Sequence, residues 1–158
     1  MVYSADHAPV LRSDGAPPIL VHSLLRVDRR MGYGEYVWNE VGASHGPMRV
    51  RVDLARQVVS VFRGGDEIGT AVILYGAEDR PTPVGTFPIL ARARDHWSSL
   101  YDAPMPYMLR LTGDGVALHG SSVEKGYATH GCIGLPDGFA RHLYEAARVG
   151  DLVTVVRT

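Results

Sequence analysis

The chain is poor in the features that mark several large protein classes. It has a single cysteine in 158 residues, so no intrachain disulfide can form and cysteine usage does not report the redox compartment. No stretch approaches the roughly eighteen apolar residues of a membrane-spanning helix, and no membrane span is expected. Acidic and basic residues nearly cancel, leaving a formal net charge of -1. Nucleic-acid binders that rely on bulk electrostatics usually carry a basic excess, so no nucleic-acid partner is expected. There is no phosphate-binding loop and no dinucleotide glycine motif, and no cofactor is expected. The paired carboxylates of a glycosidase cannot be placed. No internal repeat or low-complexity tract is present. The start, Met1-Val2-Tyr3-Ser4-Ala5-Asp6-His7, has neither the basic n-region nor the apolar h-region of an export signal. A location in the periplasm or cell envelope is expected only if such a signal has been removed.

Glycine and proline, by contrast, are plentiful, at 18 and 10 residues. They point to a loop-rich, mostly β domain. A domain of this size buries roughly two-thirds of its unfolded surface, enough for a core without metal or disulfide. Residues 1–45 read as an extension or linker partly packed on a main domain at 46–158. Asp14-Gly15-Ala16-Pro17-Pro18 is a turn signal. Ile19-Leu20-Val21 and Leu24-Leu25-Arg26-Val27 are short apolar runs able to dock on a sheet. Residues 31–38 suggest irregular structure or an edge strand, its aromatics packed on the main domain.

From Met48 the apolar period becomes two: Val50, Val52 and Leu54 alternate with Arg51 and Asp53. Residues 57–63 form a second strand and 68–75 a third, joined through Gly64-Gly65-Asp66, giving an antiparallel meander. Arg80 to Leu90 is a proline-stiffened loop followed by a short strand. Residues 91–106 read as a long excursion over the sheet, a possible lid. Residues 107–112 and 116–119 are strands around the turn Gly113-Asp114-Gly115. One helix follows Pro136, with Asp137 as its N-cap, Phe139, Leu143, Ala146 and Ala147 on its buried stripe, and Gly150 as its stop. Residues 152–156 form a last, buried strand.

The single cysteine lies in Thr129-His130-Gly131-Cys132-Ile133-Gly134. By composition alone, a lone cysteine is most often a small buried hydrophobe. As a nucleophile it needs a base, because only a few per cent of a free thiol ionises at neutral pH. His119 and His130 both qualify: His119 ends a strand and could face Cys132 across residues 120–128, while His130 is two residues away. Gly131 permits close backbone approach, and the Gly131 and Cys132 amides are natural oxyanion donors. The helix that opens at Asp137 would lower the thiol pKa if it lay close. His119, His130 and Cys132 have the ligand types for zinc, but no CxxC or HxxxH pair accompanies them, and no metal is expected.

On these residues the sequence resembles the L,D-transpeptidase catalytic domain (YkuD type) of bacterial cell-wall enzymes. The signature is His119-Gly120, a variable loop, then Thr129-His130-Gly131-Cys132-Ile133. The likeness extends to residues 52–63, similar to the family's opening hairpin, and to Pro81-Thr82-Pro83-Val84-Gly85-Thr86-Phe87, similar to its proline-threonine-glycine loop. It covers about residues 48–156.

The resemblance implies a mostly β sandwich with one C-terminal helix. It implies that Cys132 attacks the carbonyl of a peptidoglycan stem peptide at a diaminopimelate L-centre, expels D-alanine, and forms a thioester that an amine or water resolves. It implies His119 as general base and acid, oriented by the Gly120 carbonyl, with oxyanion donors near Gly131 and Cys132 and with His130 lining the site. Tyr107, Thr129 and Gly134 would meet substrate. Gly134 stands where many members carry Arg or Asn. Hydrolysis by the same site, as a carboxypeptidase or endopeptidase, and a non-catalytic wall-binding module are the alternative readings. The protein is expected to act as a monomer on peptidoglycan.

Overall fold

The computed structural model describes residues 1–13, 15–76, 80–99, 102–123, 129 and 131–158. In chain order the strands are β1 (Val10–Leu11), β2 (Ile19–Leu20), β3 (Tyr36–Trp38), β4 (Met48–Asp53), β5 (Val58–Arg63), β6 (Asp66–Val72), β7 (Gly85–Pro88), β8 (Ala91–Ser98), β9 (Ala103–Arg110), β10 (Ala117–Ser121) and β11 (Ile133–Pro136). Helix α1 (Asp137–Ala146) and β12 (Leu152–Val156) complete the chain. The β-rich architecture with one late helix matches the expectation from glycine, proline and period-two patterning.

Three sheets form. The largest has six strands in the order β3-β6-β5-β4-β12-β7, the second four in the order β11-β10-β9-β8, and β1 pairs with β2 alone. β4, β5 and β6 are the expected antiparallel meander. The two larger sheets share one core with α1. Val50, Val52, Val59, Val61 and Ile68 come from the first sheet, Leu109, Leu118, Ile133 and Leu135 from the second, and Phe139 and Leu143 from the helix. Backbone bonds also tie the sheets, among them the pair exchanged by Leu74 and Gly134 at 3.0 and 2.9 Å.

Alternation in β5 turns Val59 and Val61 inward and would leave Phe62 on the outer face. Phe62 is nonetheless 1% exposed. Ile19 and Val21 from the N-terminal segment pack on it, with Tyr3, Leu11 and Leu24 at the margin. The same segment is tied by polar bonds. His22 Nδ1 and Ser23 Oγ both lie 2.6 Å from Asp66 Oδ1, and the Ser44 amide donates to Asp66 Oδ2 at 2.9 Å. β3 adds an edge to the large sheet by pairing with β6, and Trp38 and Tyr36 make edge contacts with Phe139.

Residues 91–106 are not an excursion. They hold β8 and the first half of β9, strands paired antiparallel from Ala91↔Arg110 to Ser98↔Ala103. Pro104 and Pro106 had suggested a loop, since proline cannot donate to a ladder. Two residues apart, however, both missing donors lie on one side of the strand. On that side β10 pairs only with Leu109 and Arg110, so no donor is needed at 104 or 106. The helix limits also differ from expectation. Pro136 holds the N-cap position and Asp137 is the first helical residue, and Ala147 is the C-cap. Gly150, at φ +95°, lies in the turn before β12 rather than at the helix stop.

Candidate active site

β10 and β11 are parallel neighbours, with Leu118 opposite Ile133, His119 opposite Gly134 and Gly120 opposite Leu135. This pairing brings His119 beside the strand that begins directly after Cys132. A parallel pair requires a crossover rather than a tight turn, and residues 122–132 supply it. Of these, 124–128 and His130 lie outside the described residues.

His119 and Cys132 both line an open cleft of about 370 Å³. Ala103, Pro104, Met105 and Pro106 of β9 form an apolar wall, and Ser121 and Ser122 continue the line from His119. Thr129 and Cys132 precede β11 and Asp137 follows it, and all three line the cleft.

His119 Nδ1 is 2.8 Å from the carbonyl oxygen of Gly120. A carbonyl only accepts, so Nδ1 carries the proton and Nε2 of the neutral ring is the free acceptor. Burial pushes the His119 pKa below its ordinary 6.5 and the nearby His96 adds to this, while the Gly120 carbonyl and the Asp137 charge pull the other way. The ring is therefore neutral at neutral pH, the form a general base requires.

Cys132 is 4% exposed and packs against Met105, Met108 and Ala117. Its thiol donates to the carbonyl of Gly115 at 3.6 Å. Burial raises the thiol pKa above its ordinary value, and the Asp114 charge adds to this against a backbone hydrogen bond from Ala117. The lowering expected from α1 is not what the site provides. Four strand residues separate Cys132 from the helix, roughly 13 Å at about 3.3 Å per residue, and a helix terminus acts only within about a turn. The resting pair is thus a protonated thiol and a neutral imidazole.

The turn before the thiol is held on both sides. The Thr129 amide donates to Tyr75 O at 3.0 Å, and the Thr129 hydroxyl donates to the Cys132 carbonyl. Gly131 sits at φ +108°, where an L side chain is strained. Space does not dictate glycine there, since a Cβ would make ordinary contacts of 3.7 and 3.9 Å with the carbonyls of Pro81 and Arg80. Those carbonyls belong to the proline-stiffened loop, itself fastened by the Gly76 amide donating to buried Thr82 Oγ1 at 2.8 Å.

Residues 47–155 match the model of the L,D-transpeptidase catalytic domain family, YkuD. The chain belongs to this family. It is 30% identical to L,D-transpeptidase 1 of Mycobacterium tuberculosis, over 65% of this chain and 48% of the relative. The chain thus spans about half the length of the curated relatives it matches. Among solved structures it is similar to an L,D-transpeptidase from Stackebrandtia nassauensis, with TM-score 0.65 and 27% identity, covering 73% of this chain and 58% of the other. It is equally similar to an L,D-transpeptidase in complex with imipenem, with TM-score 0.64 and 27% identity, covering 69% and 58%.

Within this L,D-transpeptidase domain, two residues expected at the substrate stand elsewhere. Tyr107, at φ +55°, packs on Tyr144 of α1 with ring centroids 5.8 Å apart, outside the cleft. Gly134 is buried in β11, where a Cβ would meet Ser121 Cβ and Oγ at 3.2 Å and Leu74 Cβ at 3.4 Å. It is a ladder residue hemmed in by two neighbours, and an arginine there would have to displace them.

Conversely, sequence reasoning missed Asp137 as a site residue by assigning it to a helix cap. Its Oδ1 lies where a Cβ on Gly120 would come within 2.5 Å of it, and Pro106 Cγ would be 3.2 Å away. A side chain at Gly120 would thus push the Asp137 carboxylate aside and press on Pro106. The available signal was its spacing. Five residues after the cysteine, Asp137 directly follows the strand that runs beside the one carrying His119.

Proposed function

We propose that this domain is a cysteine acyltransferase acting on peptidoglycan stem peptides. Cys132 is the nucleophile and His119 the general base and acid. The observation that carries the reading is the single cleft lined by both side chains, with the His119 Nδ1–H held by the Gly120 carbonyl and Nε2 left to accept a proton.

In acylation, Cys132 Sγ bonds to the scissile carbonyl carbon as the thiol proton passes to His119 Nε2. The amides of Gly131 and Cys132 hold the developing oxyanion. The C–N bond breaks, His119 returns the proton to the departing amine, and a thioester remains. An acceptor amine then attacks the thioester, its proton passes through His119, and the thiol is regenerated. A buried neutral pair suits this sequence. Neither charge must be held in the resting site, and the ion pair arises only as the substrate engages. A peptidoglycan substrate would require the protein to reach the cell envelope.

The test is acylation by imipenem, followed by intact mass. The wild type should gain one adduct and Cys132→Ala none; a persisting adduct in Cys132→Ala removes the nucleophile assignment. Incubation with tetrapeptide muropeptides then reads the reaction. Crosslinked dimers or exchange of added D-amino acids mean transfer, and tripeptide alone means hydrolysis and refutes transfer.

A further inference from the structure

We propose that Arg110 is a positioning residue for the nucleophile: it fastens the turn 112–115 so that the Gly115 carbonyl holds the Cys132 S–H while the site is at rest. This rests on the acyl-transfer reading above and adds to it what orients the sulfur before the donor arrives.

A thiol has one proton to donate, and Cys132 Sγ donates it to the carbonyl of Gly115 at 3.6 Å. The resting S–H is therefore turned to the loop between β9 and β10 and not to His119 Nε2. Where that carbonyl points is set by Gly115 and the bonds around it. Gly115 has φ +101°, and a Cβ there would meet nothing within 4 Å. Glycine serves the backbone angle at this position, not space. The Gly115 amide donates to Thr112 O at 3.3 Å, and the Val116 amide donates to Thr112 Oγ1 at 3.0 Å. Arg110 closes the arrangement. Its Nε donates to the same Thr112 oxygen at 2.9 Å, and its Nη2 donates to Gly113 O at 2.5 Å. A planar guanidinium holds two such carbonyls in a fixed fork, one bond removed from the residue that holds the thiol. Arg110 and Gly115 are not among the described residues lining the catalytic cleft; both line a separate cavity of about 230 Å³. Arg110 thus acts on the sulfur and not on the donor. As the donor's carbonyl carbon arrives, the S–H turns from Gly115 O to His119 Nε2. The proton passes to that nitrogen while the electron pair left on sulfur forms the S–C bond. A hydrogen bond to the neutral thiol disfavours the thiolate, so the same carbonyl keeps the site uncharged until then.

Because the chain holds a single cysteine, one infrared S–H stretching band reports Cys132 alone, and Cys132→Ala supplies the blank. Arg110→Met removes both donors and keeps an apolar stem. Arg110→Lys keeps the charge and loses the fork. Gly115→Ala displaces the carbonyl directly. In all three the band should move to higher wavenumber, as a donor's band does when its acceptor is withdrawn. Acylation by imipenem at several concentrations, followed by intact mass, separates the maximal rate from the half-saturating concentration. The maximal rate should fall roughly 10- to 100-fold, the scale of a reacting atom misplaced by about 1 Å. The half-saturating concentration should stay within about twofold, because no contact with imipenem is removed. Circular dichroism identifies the folded variants. An unmoved band or an unchanged maximal rate in any folded variant, or a loss confined to the half-saturating concentration, overturns the proposal and leaves the acyl-transfer reading intact. Failure of both Arg110 variants to fold makes Arg110 a residue of the fold and overturns its positioning role. No imipenem adduct in the wild type overturns both readings.

Discussion

The Nδ1–H of His119 donates to the carbonyl of its own successor, Gly120, at 2.8 Å. A bond between adjacent residues of one strand needs no third side chain to orient the ring, and it leaves Nε2 to the cleft. His119→Gln should therefore fold but lose the base. Acylation by imipenem is expected to slow by roughly 10²- to 10⁴-fold, measured by intact mass against time. A loss below tenfold would exclude His119 as the base.

A methyl group on Gly120 would have to displace the Asp137 carboxylate and crowd Pro106. Gly120→Ala would set a Cβ 2.5 Å from Asp137 Oδ1 and 3.2 Å from Pro106 Cγ. The expected cost is about 1–3 kcal/mol of stability, read by urea unfolding, with slower acylation because the carbonyl holding His119 moves. Because the tightest contact is with Asp137, the double variant Gly120→Ala/Asp137→Ala should recover part of the loss.

Burial displaces both titrating groups of the site. The unfolded chain protonates His119 near its ordinary 6.5, whereas the folded chain resists protonation to lower pH. Stability linked to His119 is thus present above that value and declines as pH falls below it. The sign is reversed at the top of the range. The folded Cys132 thiol holds its proton above its ordinary 9.0, so its contribution is present below that value and is lost as pH rises beyond it. Alkylation of the free enzyme by iodoacetamide should then show no inflection in the neutral range. A thiolate titrating near pH 7 would contradict the neutral resting pair.

Asp66 anchors the N-terminal segment. Hydrogen bonds from Ser23, His22 and the Ser44 amide hold its pKa down at about 2 against the opposing effect of burial. A depressed carboxylate contributes stability that is present above its ordinary 3.8 and lost as pH falls through about 2. The contribution is about 2 kcal/mol. Thermal unfolding of wild type and Asp66→Asn should differ at pH 6 and converge toward pH 2.

Phe62 reports the cover on the outer face of the large sheet. It is 1% exposed beneath Ile19 and Val21, so Phe62→Ala should cost about 3–5 kcal/mol. Limited proteolysis should then cleave within residues 1–25 before the main domain. Equal resistance in both proteins would mean that the segment is held by its polar ties alone.

Much of this protein could be read from local pattern. Alternation at Val50, Val52, Val59 and Val61 specifies strands, because side chains of a strand alternate faces whatever lies beyond them. The ordered His119-Gly120 and Thr129-His130-Gly131-Cys132 supplied the chemistry. Other features depend on partners distant in sequence. Pro104 and Pro106 read as a loop until β8 is seen on one side and no strand opposite them on the other. Only the parallel pairing of β10 with β11 sets His119 beside the cysteine strand, moves Asp137 from helix cap to cleft and closes Gly134 between Leu74 and Ser121. The direction of both pKa shifts was also undecidable in advance, because desolvation is a property of the packed surroundings and not of the residue. The sequence by itself determined which groups can react. The tertiary structure decided that they line one cleft and rest there uncharged, because only packing desolvates them.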